Sequence, residues 1–209
     1  MLFMTLNGWK ETKMVRAINH GKNIACLESL WDKDIEHPFS VAPILELSST
    51  INNVKFIHLS CNTIEELAHH LNLLKKKRGY GILYLAFHGR PGRIVLNDTP
   101  IDLEVLADFM GEGFENWVIH FGCCETMRVG KKKKMNFIKR TRASMITGYR
   151  TEVDWINGTA MDMLLLNFLL PRRNLMKNWP IFKKLYRDLI TFTGLDVYHK
   201  NLLKSGKQT

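Results

Sequence analysis

Paired cysteines are missing from this chain. Its four cysteines (Cys26, Cys61, Cys123 and Cys124) are too few for a disulfide framework in 209 residues. None is spaced C-x-x-C, which argues against the common structural zinc motifs. Reduced thiols in a cytoplasmic protein are the simplest reading. The N-terminal stretch "MLFMTLNGWKETK" lacks a basic start, a long apolar centre and a small-residue cleavage site, so it does not read as a secretory leader. Long hydrophobic runs are absent too. The most apolar one, "MDMLLLNFLL" at 161–170, contains Asp162 and Asn167, is too short for a bilayer and suits a buried helix. Acidic residues are the scarcer charge: 20 Asp and Glu against 30 Lys and Arg, a net charge of +10. Such a chain either contacts phosphates or carries solvated, partner-facing lysines. The positive residues gather at 75–78, at 128–142 and toward the C-terminus, with no nucleic-acid motif beside them.

What is present alternates. "NIACLES" (23–29), "VKFIHLS" (54–60), "GILYLAF" (81–87), "NWVIHFG" (116–122) and "SMITGY" (144–149) read as strands. The continuous apolar run of the third implies burial on both faces. Between them, "PFSVAPILELSSTI" has helical spacing after Pro38 and Pro43. "NTIEELAHHLNLLKKK" opens on a cap residue with Glu65 and Glu66 in its first turn and ends in lysines, which suits the helix dipole. "GRPGRIVLNDTPIDL" holds two turn signals and predicts a β-hairpin beside the sheet, followed by a short helix closed by Gly111. A basic loop and helix precede the fifth strand. Two closing helices follow it, the second with a break expected at Pro180. Strands and helices taking turns predict an α/β protein, a three-layer sandwich with a mostly parallel central sheet. No repeat, linker or composition shift divides the chain, so one domain over 1–209 is expected.

Two of these strands end on reactive side chains. "ILYLAFHG" (82–89) runs into His88 and Gly89, and "WVIHFGCCET" (117–126) into Cys123 and Cys124. In open α/β sheets the functional crevice lies at the carboxyl ends of the strands. If the two strands are parallel neighbours, an imidazole and a thiol meet above the sheet edge, the pairing that activates a sulfur nucleophile. Gly89 allows backbone to approach a substrate closely, and its N–H together with that of the nucleophile would form an oxyanion hole.

"LYLAFHG" followed by "VIHFGCCET" resembles the caspase-like cysteine peptidases, the CHAT branch above all: a strand ending in His-Gly, then an apolar strand ending in Ala-Cys-Glu-Thr or a close variant. Further on, "ITGYRTEVDWINGTAMDMLLLNFL" is similar to the next strand, Val-Asp turn and helix of that family. The resemblance implies a caspase-like fold and a cysteine endopeptidase. Cys124 is the nucleophile, with Cys123 in the alanine position. His88 is general base and acid, and the N–H groups of Gly89 and Cys124 form the oxyanion hole. It implies no metal or organic cofactor, a protein substrate, and an activating partner or signal molecule acting in trans. The small stand-alone bacterial members suggest antiviral defence or cell death as the role. The interval from His88 to Cys124 is shorter than the ~50 residues usual in caspases. The Gln-Ala-Cys-X-Gly signature is missing, so no preference for aspartate is implied.

Asp154, in "EVDW", has two readings: lining an acidic pocket for a basic substrate residue, or capping the helix that starts near Ile156. Glu125 would line a pocket similarly or meet solvent. His120 is expected under the sheet, apart from the dyad, and His69 and His70 on a helix surface. The run "GKKKKMNFIKR" (130–140) would be either a self-cleaved activation loop or a solvated lysine loop. Two other functions remain open: a catalytically silent caspase-like binding module, and a basic nucleic-acid-binding protein using Lys131–Lys134.

Overall fold

The computed structural model describes residues 22–32, 36, 38–172 and 174–203; the N-terminal stretch discussed above lies outside them. In chain order, β1 (Asn23–Glu28) leads through α1 (Ala42–Asn52) to β2 (Phe56–Ser60), and α2 (Ile64–Leu74) leads to β3 (Tyr80–Ala86). Three short strands come next: β4 (His88–Arg90), β5 (Arg93–Leu96) and β6 (Thr99–Asp102). Then follow α3 (Leu103–Met110), β7 (Val118–Phe121), α4 (Lys131–Thr141), β8 (Met145–Tyr149), α5 (Trp155–Leu169), α6 (Leu175–Leu185), α7 (Arg187–Thr193) and β9 (Leu195–His199).

Six strands form the central sheet in the order β2-β1-β3-β7-β8-β9. All pairs are parallel except β8 with β9. Successive side chains of the inner strands point to opposite faces, and both faces are covered. Ala25, Leu27, Leu83, Leu85, Ile119 and Phe121 pack with α2, α3 and α4 on one side. Ile24, Cys26, Ile82, Tyr84, Val118 and Met145 pack with α1, α5, α6 and α7 on the other. This is the expected three-layer α/β sandwich. Each large apolar side chain buried this way contributes roughly 1.5–3 kcal/mol relative to exposure. The helix ends follow the local chemistry. Thr63 and Glu66 form a reciprocal capping box on α2, and the Asp154 side chain accepts the Asn157 N–H on α5. The apolar run at 161–170 is the buried stretch of α5. No helix among the described residues is long and apolar enough to cross a membrane.

Four details differ from the sequence reading. The hairpin after His88 is a three-stranded antiparallel sheet, ordered β4-β5-β6, whose second turn places Asn97 and Asp98 at φ 44° and 67°. β9 was not predicted. Five residues that alternate only loosely are too short to stand out beside a helix, and their pairing partner Met145–Tyr149 is remote in sequence. The last helical region breaks at Tyr186, not Pro180. Pro180 stays inside α6, while Tyr186 leaves the helical region at φ −115° and ψ 28° with its ring 4.9 Å from that of Phe182. Finally, the lysine run is helix and not the loop expected: residues 131–141 form α4, with Lys131–Lys133, Lys139 and Arg140 exposed. Phe137 and Ile138 enter the core, and buried Lys134 pairs with Asp196.

A helical lysine run cannot adopt the extended backbone that peptidases require. Brief trypsin digestion of the native protein is therefore expected to leave the bonds within 131–140 uncut, as mapped by mass spectrometry. Early cleavage there would contradict the α4 assignment.

Candidate active site

The strand order reverses at β1: β2 lies on one side of it and β3 with β7 on the other. Loops leaving the carboxyl ends of β1 and β3 therefore part in opposite directions and open a crevice between them. His88 follows β3, Trp31 follows β1, and Cys124 follows β7, the parallel neighbour of β3. His88, Cys124 and Trp31 line one cavity of about 240 Å3. One face of α5 supplies another wall through Trp155, Gly158, Thr159 and Asp162, which repeat at helical spacing.

The His88 ring is exposed and held from one side. Its Nε2 lies 2.5 Å from the Trp31 carbonyl oxygen, and the two rings meet edge to face at 5.4 Å. A carbonyl can only accept, so Nε2 carries the proton and Nδ1 keeps its lone pair when the ring is neutral. Trp31 in turn meets Trp155 edge to face at 5.0 Å.

Cys124 is half-buried. The Val153 N–H donates to its sulfur at 3.4 Å, and the thiol reaches the Val153 carbonyl at 3.6 Å. Burial is the main reason its pKa is raised; the Val153 hydrogen bond opposes the shift, while Glu152 and Glu125 add to it. The sulfur is thus a protonated thiol at neutral pH. No hydrogen bond joins it to His88, although both line the same cavity. Cys123 is fully buried with its thiol 3.2 Å from the Leu85 carbonyl. Burial also pushes up the pKa values of Cys26, Cys123 and Cys61, the last to about 12.

Gly89 explains why the histidine strand can lie against the cysteine loop. A Cβ at Gly89 would fall 2.1 Å from the Cys124 carbonyl oxygen and 2.9 Å from Cys123 Cβ. No side chain fits there. The loop is anchored elsewhere by backbone bonds from Gly122 N to Leu85 O and from Met127 N to Tyr149 O. Buried Thr126 donates its hydroxyl to the Arg93 carbonyl on β5, which ties the loop to the small sheet. Glu125 takes φ 55° and pairs with Arg128. It lies outside the cavity that holds His88 and Cys124, in a separate shallow depression with Arg150 and Thr151. Asp154 lines the cavity and caps α5 at once, with both carboxylate oxygens bonded to Asn157. Those bonds lower its pKa.

A buried polar group beneath the cavity escaped the sequence reading. His120 lies under the sheet as expected, but it is not alone. Its Nε2–H donates to Asp162 Oδ1 at 2.7 Å, and its Nδ1 lies 2.7 Å from the Thr147 hydroxyl. Tyr84 donates to Asp162 Oδ2 at 2.5 Å, and Tyr149 donates to Oδ1. Burial, then the neighbouring Asp162 carboxylate, push both tyrosine pKa values well up. Tyr84, His120 and Thr147 sit in register on three adjacent strands. The available signal was an acid inside the most apolar helix, since a buried carboxylate needs partners.

Iodoacetamide should alkylate Cys124 alone of the four cysteines in the native protein, because the other three are buried. Its rate should rise with pH to a midpoint above the ordinary thiol range, since a raised pKa keeps the sulfur protonated at neutrality. Peptide mapping after timed labelling reads both. Gly89→Ala should destabilise the fold by about 1–3 kcal/mol, the usual cost of overpacking, measurable by urea denaturation.

No curated protein matches the chain. The model of a family described as "Family of unknown function (DUF6642)" matches residues 21–198, from just before β1 into β9. The chain therefore belongs to the DUF6642 family, whose function is unknown.

Proposed function

We propose that this protein is a cysteine endopeptidase of the caspase/CHAT type. The observation that carries the reading is the shared cavity: it is lined by Cys124 and by His88, whose Nε2 is held by the Trp31 carbonyl and whose Nδ1 is left with its lone pair. A peptide carbonyl entering between them completes the geometry. His88 Nδ1 takes the thiol proton, and Cys124 Sγ bonds to the carbonyl carbon. The N–H groups of Gly89 and Cys124 stabilise the oxyanion, each worth roughly 3 kcal/mol. The tetrahedral adduct collapses to a thioester as the amine leaves with the proton from His88. Water, deprotonated by the same imidazole, then releases the acid and restores the thiol. Asp154 faces the cavity with an exposed carboxylate and favours a basic side chain in the substrate. The three hydrogen bonds that Asp162 accepts leave that carboxylate to the framework.

A reduced sulfur nucleophile suits the cytoplasm. The missing hydrogen bond between thiol and imidazole suits a peptidase switched on by a partner or signal molecule, as a defence or cell-death effector would be. The same missing bond is what favours the second reading, a silent binding module of this fold.

An acyloxymethyl-ketone probe carrying arginine separates the two. Labelling is expected in wild type and absent in Cys124→Ala. It should be slowed by about 10²–10⁴-fold in His88→Ala. Asp154→Ala should lose the preference for arginine over a neutral probe. Labelling that survives in Cys124→Ala would defeat the peptidase reading.

A further inference from the structure

Glu28 ends β1 and is 6% exposed, a carboxylate drawn almost wholly out of water. Each oxygen accepts two hydrogen bonds. Oε1 takes the Trp31 indole N–H at 2.6 Å and the Val41 backbone N–H at 2.8 Å. Oε2 takes the Ser40 hydroxyl at 2.7 Å and His58 Nε2–H, from β2, at 2.6 Å. Burial alone would push the carboxyl pKa up; the bonds from His58, Trp31, Ser40 and Val41 outweigh it and hold the value below the ordinary range.

These contacts reach further than stability requires. Trp31 and Ser40 bracket the chain segment between β1 and α1, so one carboxylate grips both of its ends. Trp31 and Val41 both line the cavity. The Trp31 carbonyl is the acceptor for His88, and the Trp31 ring stands edge to face against the imidazole. The anchor is itself tied to its neighbouring strands by backbone bonds. The Glu28 backbone carbonyl accepts the Cys61 N–H at 2.8 Å, and the next residue, Ser29, donates to the Ala86 carbonyl at the end of β3.

We infer that Glu28 is a positioning residue for His88: by clamping the Trp31 indole it sets the place of the Trp31 carbonyl and so selects the His88 tautomer whose Nδ1 lone pair is free. The inference rests on the proposed role of His88, yet its first readout needs no substrate. Glu28 acts through hydrogen-bond acceptance more than through charge. Glutamine can keep its oxygen on Trp31 and Val41 and donate its amide to Ser40, and to His58 after a tautomer change.

The test is 15N NMR of the histidine side chains, at a pH where imidazoles are neutral, in wild type, Glu28→Gln, Glu28→Ala and Trp31→Phe. Wild type and Glu28→Gln are expected to hold His88 as the Nε2–H tautomer. Glu28→Ala and Trp31→Phe should show both tautomers, with kcat on a cleaved peptide reduced about tenfold to a hundredfold and KM little changed. Trp31→Phe keeps the carboxylate and its other three donors, so it decides the matter if Glu28→Ala does not fold. A pure Nε2–H signature in folded Trp31→Phe would overturn the inference, even with a lowered melting temperature. Tautomer mixing in a protein whose wild type cleaves nothing would instead count against the peptidase reading and leave the positioning role standing.

Discussion

The contact between Gly89 and the carbonyl of Cys124 is the constraint on which the site depends. Two loops from adjacent parallel strands must cross over the edge of the sheet, and they touch backbone to backbone. Any Cβ at Gly89 would collide with the Cys124 carbonyl, so a single hydrogen atom sets how near the histidine strand comes to the cysteine loop. The small antiparallel sheet follows from the same crossing. β4 starts beside the cysteine loop and β5 accepts the Thr126 hydroxyl, so the inserted strands brace the loop from outside the central sheet.

Two buried carboxylates frame the cavity on either side of this contact. Glu28 accepts four hydrogen bonds and Asp162 three. Desolvating a carboxylate costs several kcal/mol, which is recovered only when its lone pairs are filled. Such groups are therefore poor sources of stability but strong constraints on geometry. Glu28 fixes the indole and the chain on the histidine side. Asp162 draws three strands and α5 together beneath the cysteine side. The cavity lined by residues of both regions is mostly apolar, with Trp31, Tyr84, Tyr149 and Trp155 among its walls.

Much of the architecture was legible along the chain. The continuous apolar run at 82–86 announced a strand buried on both faces. A cap residue followed by Glu65 and Glu66 marked a helix start, and a histidine and a cysteine at strand ends marked the crevice. Legibility failed where the deciding contact was remote. β9 becomes a strand only against Met145–Tyr149. The helix breaks at Tyr186, whose ring packs on Phe182, while Pro180, the stronger local signal, stays within it. Glu28 and Glu125 look alike in sequence, yet one is a buried hub and the other an ion-paired residue outside the cavity.

Local chemistry thus determined the parts: which segments are strands and helices, that the sheet is mostly parallel, and that His88 and Cys124 stand at strand ends. It could do so because periodicity, capping and turn preferences act over a few residues. Tertiary structure alone decided that the imidazole leans on the Trp31 carbonyl, that the sulfur rests on Val153, and that Tyr84, His120, Thr147, Tyr149 and Asp162 form one buried cluster. Those choices depend on strand order and on carboxylates that must find donors once water is gone, and neither is written in any short stretch of sequence.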